Sequence, residues 1–149
     1  MSLKNYRKKR RFSETPEPEE STKARAKEEI YLIQKHNASH LHWDLRLEME
    51  GVLKSWAIPK EPPTEGGTKR LAVQVEDHPI EYAEFSGTIP EGQYGAGTVE
   101  IWDKGGYIPV SIAQDKLVVN INGEKLKGKY ALVKTKLGKG NNWIFFKMK

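Results

Sequence analysis

Three of the four histidines fall within seven residues: His36, His40 and His42. The last of them opens an alternating segment, residues 41–48. Leu41, Trp43, Leu45 and Leu47 share one face of a strand, and His42, Asp44, Arg46 and Glu48 share the other. Residues two apart on a strand lie ~7 Å apart at Cα and point the same way. An imidazole, a carboxylate and a guanidinium in a row differ from the Lys, Glu and Thr of an ordinary solvated face. His42 and Asp44 can reach one metal ion while Arg46 holds an anion on it. If residues 37–40 fold back as a hairpin, His36 supplies a third ligand. Two imidazoles and one carboxylate leave coordination positions open for water or substrate oxygens. The competing reading is a solvated strand face, and the spacing alone does not decide.

A metal held by N and O donors beside an arginine suits phosphate chemistry. Lys54 and Lys60 flank Trp56, and Lys69-Arg70 opens the next apolar run. Lys60 and Arg70 are candidate phosphate ligands. Arg70, Ala72, Gln74 and Glu76 are expected on one face, with Leu71, Val73 and Val75 in the core. His78 sits in Glu76-Asp77-His78-Pro79. It can be a general acid, a phosphate contact, or a turn histidine bonded to Asp77. The run Gly92-Gln93-Tyr94-Gly95-Ala96-Gly97 matches neither the phosphate loop nor the dinucleotide fingerprint, since no Gly-Lys-Ser/Thr and no helix follow. It reads as a tight turn between strands. The four tryptophans read as core.

The elements that must position these residues are short. Residues 31–34, 41–48, 52–58, 71–76, 98–102, 117–121, 130–135 and 143–148 read as strands, divided by Gly, Pro and Asn turns. Eight strands with little helix predict an all-β fold, a closed or nearly closed antiparallel barrel or a sandwich. Residues 30–149 form this domain. Residues 1–29 read as a flexible, partly helical N-terminal arm that holds Lys8-Lys9-Arg10-Arg11 and Thr15-Pro16-Glu17-Pro18. The longest irregular stretch is residues 78–97.

Composition bounds the rest. The chain has 149 residues, no cysteine and a net charge of +5. No thiolate metal site or disulfide is available, and no apolar run is long enough to span a bilayer. The expectation is a cytoplasmic protein with no membrane partner. The charge is uneven: residues 1–27 carry +5, residues 28–115 carry −8 and residues 116–149 carry +8. Two basic ends around an acidic middle point to a polyanion partner.

At this point the motifs carry a resemblance. Gln34-Lys35-His36, residues 41–48, residues 51–60, Lys69 to Val73, Val75-Glu76-Asp77-His78-Pro79 and residues 89–97 resemble the 3′-phosphoesterase domain of bacterial DNA ligase D. The match is dense from about Phe12 to Asp103; the last third resembles the family only in strand pattern. The resemblance implies a β-barrel with the site in a crescent-shaped groove. It implies a manganese-dependent enzyme that removes a terminal 3′-ribonucleotide and then a 3′-phosphate, leaving a 3′-hydroxyl. Zn²⁺, Co²⁺ or another divalent ion can stand in for Mn²⁺. The family's metal ligands fall on His36, His42 and Asp44. Its phosphate-binding or otherwise essential positions fall on Arg46, Lys60, Arg70, Glu76, His78 and Tyr82. An N-terminal Arg-Asp-Phe motif followed by Thr-Pro-Glu-Pro is represented by Arg10 and Glu17, with Arg11 in place of the acidic residue. That departure bears on ribonucleotide removal more than on phosphate removal. The length suggests a free-standing version acting on primer-template ends with a separate DNA ligase and polymerase. Two other classes remain: a nucleic-acid-binding barrel with no catalysis, and a small-molecule barrel such as a metal-dependent isomerase or dioxygenase.

Overall fold

The computed structural model describes residues 28–89, 97–136 and 140–148. The predicted arm up to residue 27, with Arg10 and Glu17, lies outside these residues, as does most of the glycine-rich run; Glu29, the last residue assigned to the arm, already belongs to the first strand. Nine strands make one antiparallel sheet: β1 (Glu29–Asn37), β2 (Leu41–Met49), β3 (Val52–Ile58), β4 (Lys69–His78), β5 (Gly87–Ile89), β6 (Gly97–Ile112), β7 (Lys116–Asn122), β8 (Lys127–Lys134) and β9 (Asn142–Lys147). The order is β1-β2-β3-β4-β9-β8-β7-β6-β5, and β1 also pairs with β6. That last pairing closes eight strands into a barrel, with β5 an extra strand beside the start of β6. The barrel is two four-stranded meanders joined along β4–β9 and β1–β6. A crossover carrying a short 3-10 helix, Ile80–Glu84, links β4 to β5. Among the described residues, no helix is long and apolar enough to cross a membrane.

Alternation builds the barrel wall. Tyr31, Ile33, Trp43, Leu45, Leu47, Trp56, Ile58, Leu132 and Phe145 point inward and are almost wholly buried. Each such side chain contributes roughly 1.5–3 kcal/mol by leaving water. A smaller apolar cluster of Leu32, Leu53 and Ala83 lies on the outer side, where the crossover packs on β1 and β3. Glu50 and Gly51 both take positive φ, so a two-residue turn joins β2 to β3 and fixes their register.

The eight expected strands are all present, and two features go beyond them. β6 is far longer than residues 98–102, because Asp103 to Gly106 continue the strand. The two glycines serve a three-strand junction: a Cβ on Gly105 would collide with the carbonyl of Asn122. A bulge at Trp102 lets Asp103 face the interior beside Ile33. There its carboxylate accepts from Tyr31 Oη at 2.7 Å and from the backbone N–H groups of Glu124, Lys125 and Leu126 at 2.8–2.9 Å. This ties the β7–β8 turn to β6 and β1. Desolvation and the nearby carboxylate push the Tyr31 hydroxyl far above its ordinary pKa.

The expected facing of β4 is corrected. Ala72 and Gln74 point inward; Leu71 is 42 % exposed, and Val73 and Val75 pair with the outward Ala57 and Ser55. The Trp56 and Trp143 indoles fill the interior opposite β4. They leave room for an alanine and for one amide, which Trp143 Nε1 satisfies by donating to Gln74 Oε1 at 3.1 Å.

Candidate metal and phosphate site

The outward faces of β1, β2 and β3 meet the crossover, and the chemistry collects there. The β1–β2 hairpin sets His36 directly opposite His42 and Gln34 opposite Asp44. The His36 and His42 ring centroids are 4.8 Å apart. One donor atom from each of His36, His42 and Asp44 lies within 4.8 Å of the others. Asp44 Oδ2 is 3.3 Å from His42 Nε2 and 3.7 Å from His36 Nδ1. His42 Nδ1 sits 3.0 Å from the carbonyl of His40, which can only accept. That fixes the Nδ1–H tautomer of a neutral imidazole and leaves the Nε2 lone pair facing the cluster. Two imidazole nitrogens and a carboxylate oxygen, mutually close and long for direct hydrogen bonds, fit a divalent cation of borderline or hard character. With no cation, a hydrogen bond accepted by the Asp44 carboxylate raises the His42 pKa.

Arg46 is 3 % exposed, and every edge of its guanidinium is held. Nε donates to Gln34 Oε1 at 2.7 Å, and Nη1 donates to Ser55 Oγ at 2.7 Å. Nη2 faces Asp44 Oδ2 at 3.6 Å. The Tyr82 ring lies 4.8 Å from Cζ, in cation–π contact. Gln34 is wholly buried and donates through Nε2 to the carbonyls of Tyr82 and Phe85 at 3.2 and 3.0 Å. Ser55 in turn donates to the carbonyl of Leu53 at 3.1 Å. Neither Gln34 as a holding group nor Ser55 is signalled by the motif chemistry. The only sequence signal is position: each is polar and lies on the outward face of a strand bearing apolar residues.

A bulge in β4 swings His78 into register with Leu53, onto the same outer face. His78 Nδ1 is 3.2 Å from Arg46 Nη1 and 3.1 Å from the carbonyl of Glu76. Arginine can only donate and a carbonyl can only accept, so each tautomer of the neutral ring satisfies one of these two contacts. Burial, reinforced by Arg46, lowers the His78 pKa and keeps the ring neutral. The Tyr82 ring lies 4.8 Å from that of His78, and burial raises its hydroxyl pKa. Glu76 adds negative potential near Arg46.

Two predicted phosphate ligands are not brought into this cluster. Lys60 is exposed in the loop after β3 and makes no hydrogen bond or ion pair with the cluster. Arg70 shares the side of Ala72 and Gln74, and its Nε donates to the carbonyl of Glu61 at 2.7 Å. A cavity of about 440 Å³ opens at one barrel end beside Trp56, Gln74 and Trp143; none of the cluster lines it.

A barrel that carried a small molecule would keep its polar groups inside. Here the interior is mainly apolar, its Asp103 and Gln74 are taken up by internal hydrogen bonds, and a buried guanidinium, two imidazoles and a carboxylate converge on the outer wall of the β-barrel. Residues 34–134 match the model of the DNA ligase D 3′-phosphoesterase domain, and the chain belongs to that family. It is 46 % identical to the Multifunctional non-homologous end joining protein LigD of Pseudomonas aeruginosa, over 99 % of this chain and 18 % of that protein. Against the protein of the same name from Mycolicibacterium smegmatis it is 44 % identical, over 99 % of this chain and 20 % of that one. The counterpart from Mycobacterium bovis is 42 % identical over the same shares. The chain thus spans about a fifth of the length of the curated relatives it matches. The similarity also runs through the last third, beyond the strand pattern alone.

Proposed function

We propose that this protein is a divalent-metal-dependent 3′-phosphoesterase that heals nucleic-acid 3′ ends in DNA repair. It removes a terminal 3′-phosphate, and a terminal 3′-ribonucleotide before it, to leave a 3′-hydroxyl that a ligase can use. The observation that carries this reading is the His36–His42–Asp44 triad within 4.8 Å, with a fully anchored Arg46 beside it.

His36, His42 and Asp44 would hold Mn²⁺, or another divalent ion in its place. Bound there, the ion would polarise a phosphoryl oxygen and lower the pKa of water. Arg46 supplies fixed positive charge to the remaining oxygens, pre-aimed by Gln34 and Ser55, so little reorganisation is needed as charge develops. His78, neutral beside Arg46, donates a hydrogen bond to a phosphate oxygen in its Nε2–H tautomer; it is not a store of imidazolium. Tyr82 lies against both and offers a hydroxyl to the same phosphate. Lys60 and Arg70, set apart from the cluster, serve the flanking nucleotides. Glu76 sets the field. In ribonucleotide removal the nucleophile is either water or the neighbouring 2′-hydroxyl. Arg10 and Glu17 contribute to that step.

The test is a 5′-labelled primer-template ending in a 3′-phosphate or a 3′-ribonucleotide. Shortening and phosphate release should stop in chelator, return with Mn²⁺, and be absent in His42→Ala. Turnover that persists in chelator would overturn the metal assignment. A protein that binds such ends but never changes them, and purifies without stoichiometric metal, would be a binding module.

A further inference from the structure

The two meanders differ in charge. Strands β1 to β4 carry five basic and five acidic side chains. Strands β7, β8 and β9 carry five lysines and no carboxylate. Two of those five are used at the barrel ends: Lys134 lines the mouth cavity, and Lys147 Nζ reaches the carbonyl of Thr64. In the turn before β8, Lys125 donates to the carbonyl of Trp102 and covers its ring. Lys116, Lys127 and Lys129 remain. They alternate with the inward Leu117, Gly128 and Tyr130, so they stand on the outer wall. All three are exposed, and none is paired with a carboxylate among the described residues. Lys127 is the least free of them, because its register partner Asn122 donates to Glu28.

The register extends this face toward the site. Lys69 of β4 lies opposite Phe146 of β9, which lies opposite Ala131 of β8, two residues from Lys129. The Lys69 ammonium rests 5.3 Å from the Phe146 ring centroid. From strand spacings, Lys69 and Lys129 are ~12 Å apart at Cα, and Lys116 and Lys129 ~14 Å. Past β4, the outward Val73 and Val75 adjoin Ala57 and Ser55, and Ser55 holds Arg46. One continuous outer surface therefore runs from unpaired lysines to the anchored guanidinium.

We infer that the outer wall of β4, β9, β8 and β7, through Lys69, Lys116 and Lys129, is the track that holds the phosphate backbone of the substrate next to its reactive 3′ end. This rests on the function proposed above and adds where the rest of the substrate lies. Lysines on flexible stems grip phosphates without regard to sequence. Each contact releases counterions, so affinity must fall with salt.

The experiment compares the full chain with Lys69→Ser/Lys116→Ser/Lys129→Ser and with Lys134→Ser, at the barrel mouth, as an off-track control. A labelled duplex with a 3′-phosphate end is titrated from 50 to 300 mM KCl. The triple variant should bind roughly tenfold or more weakly at 100 mM. Its slope of log affinity against log salt should be shallower by about 2–3, three contacts at ~0.9 each. The Lys134→Ser control should match the unaltered chain. A dinucleotide with a 3′-phosphate is too short to cross the face, so its turnover should stay within about twofold in the triple variant. Circular dichroism checks that all variants fold; Lys69→Glu/Lys129→Glu repeats the binding test with reversed charge. Unchanged affinity and slope in both variants would overturn the track and leave the proposed activity standing. Lysine-dependent binding by a protein that turns over no 3′ end would keep the track and overturn the activity.

Discussion

Two aspartates are buried in this barrel, and their surroundings are opposite. Asp103 is 3 % exposed and accepts four hydrogen bonds of 2.7–2.9 Å, three of them from one backbone turn. Asp44 is 7 % exposed, and its nearest partners are two imidazoles and a guanidinium at 3.3–3.7 Å. Burying a carboxylate costs several kcal/mol unless it is matched. Asp103 is matched by the fold itself. Asp44 is surrounded by groups too far for good hydrogen bonds, and by nitrogens that are themselves metal donors. The first arrangement holds strands together; the second presents the donor set that the proposed cation would take. Burial alone does not tell a structural acid from a functional one, whereas the lengths and types of its contacts do.

The contrast can be broken at several points. Removing one donor from the open cluster should cost chemistry and little stability. His42→Ala is expected to lower 3′-phosphate release about a thousandfold or more, with unfolding free energy changed by less than about 1 kcal/mol. Phosphate release and urea unfolding measure the two halves of that claim. Asp103→Ala should do the reverse, costing about 3–5 kcal/mol by orphaning three backbone N–H groups and a buried tyrosine hydroxyl. The folded fraction at low temperature should keep its metal affinity, read by Mn²⁺ paramagnetic resonance.

Gln34 belongs to both kinds of environment, since it is buried and saturated yet touches the active guanidinium. Gln34→Met keeps the volume and removes the acceptor for Arg46 Nε. Turnover is expected to drop about 10- to 100-fold, with stability lower by about 1–2 kcal/mol. A Gln34→Glu variant restores the acceptor but faces the Tyr82 and Phe85 carbonyls with a carboxylate, so it should not restore the rate.

The smallest effect is with pH. His78 has a folded pKa below its unfolded value near 6.5, because burial and Arg46 disfavour the imidazolium. Its contribution to stability is therefore complete above about pH 6.5 and is lost as the pH falls through the unfolded and then the folded value. Thermal unfolding at pH 7 and pH 5 should show a larger loss in the unaltered chain than in His78→Gln. An equal loss in both would remove His78 from the account.

Much of this was legible in the residues. Strict alternation along β2 made His42, Asp44 and Arg46 co-facial, and the hairpin needed for His36 follows from the short polar turn after Asn37. The strand count survived because each run was bounded by turn residues. What failed was facing and length. Val73 and Val75 look like core, yet the two indoles opposite take the space, and the valines cover the outside. Residues 103–106 lie beyond the strand expected at 98–102, yet they continue it, because only glycine at 105 lets the β7 backbone approach. β5 is three residues long and too short to show a period. Gln34 and Ser55 act through hydrogen bonds to a side chain twelve and nine positions away, which no local pattern encodes.

The two meanders meet along just two seams, β4–β9 and β1–β6, and every residue of the metal and phosphate cluster belongs to the first meander and its crossover. A chain severed after β5 would yield one fragment with the whole chemical apparatus and another with none. Each fragment would expose the unpaired edges of both seams, and the first would also leave β5 without β6, which favours association over solitary folding. Mixing them should reseal both seams without any covalent link. The protein thus offers a natural division for fragment complementation, in which recovered 3′-end turnover reports that the two halves have met.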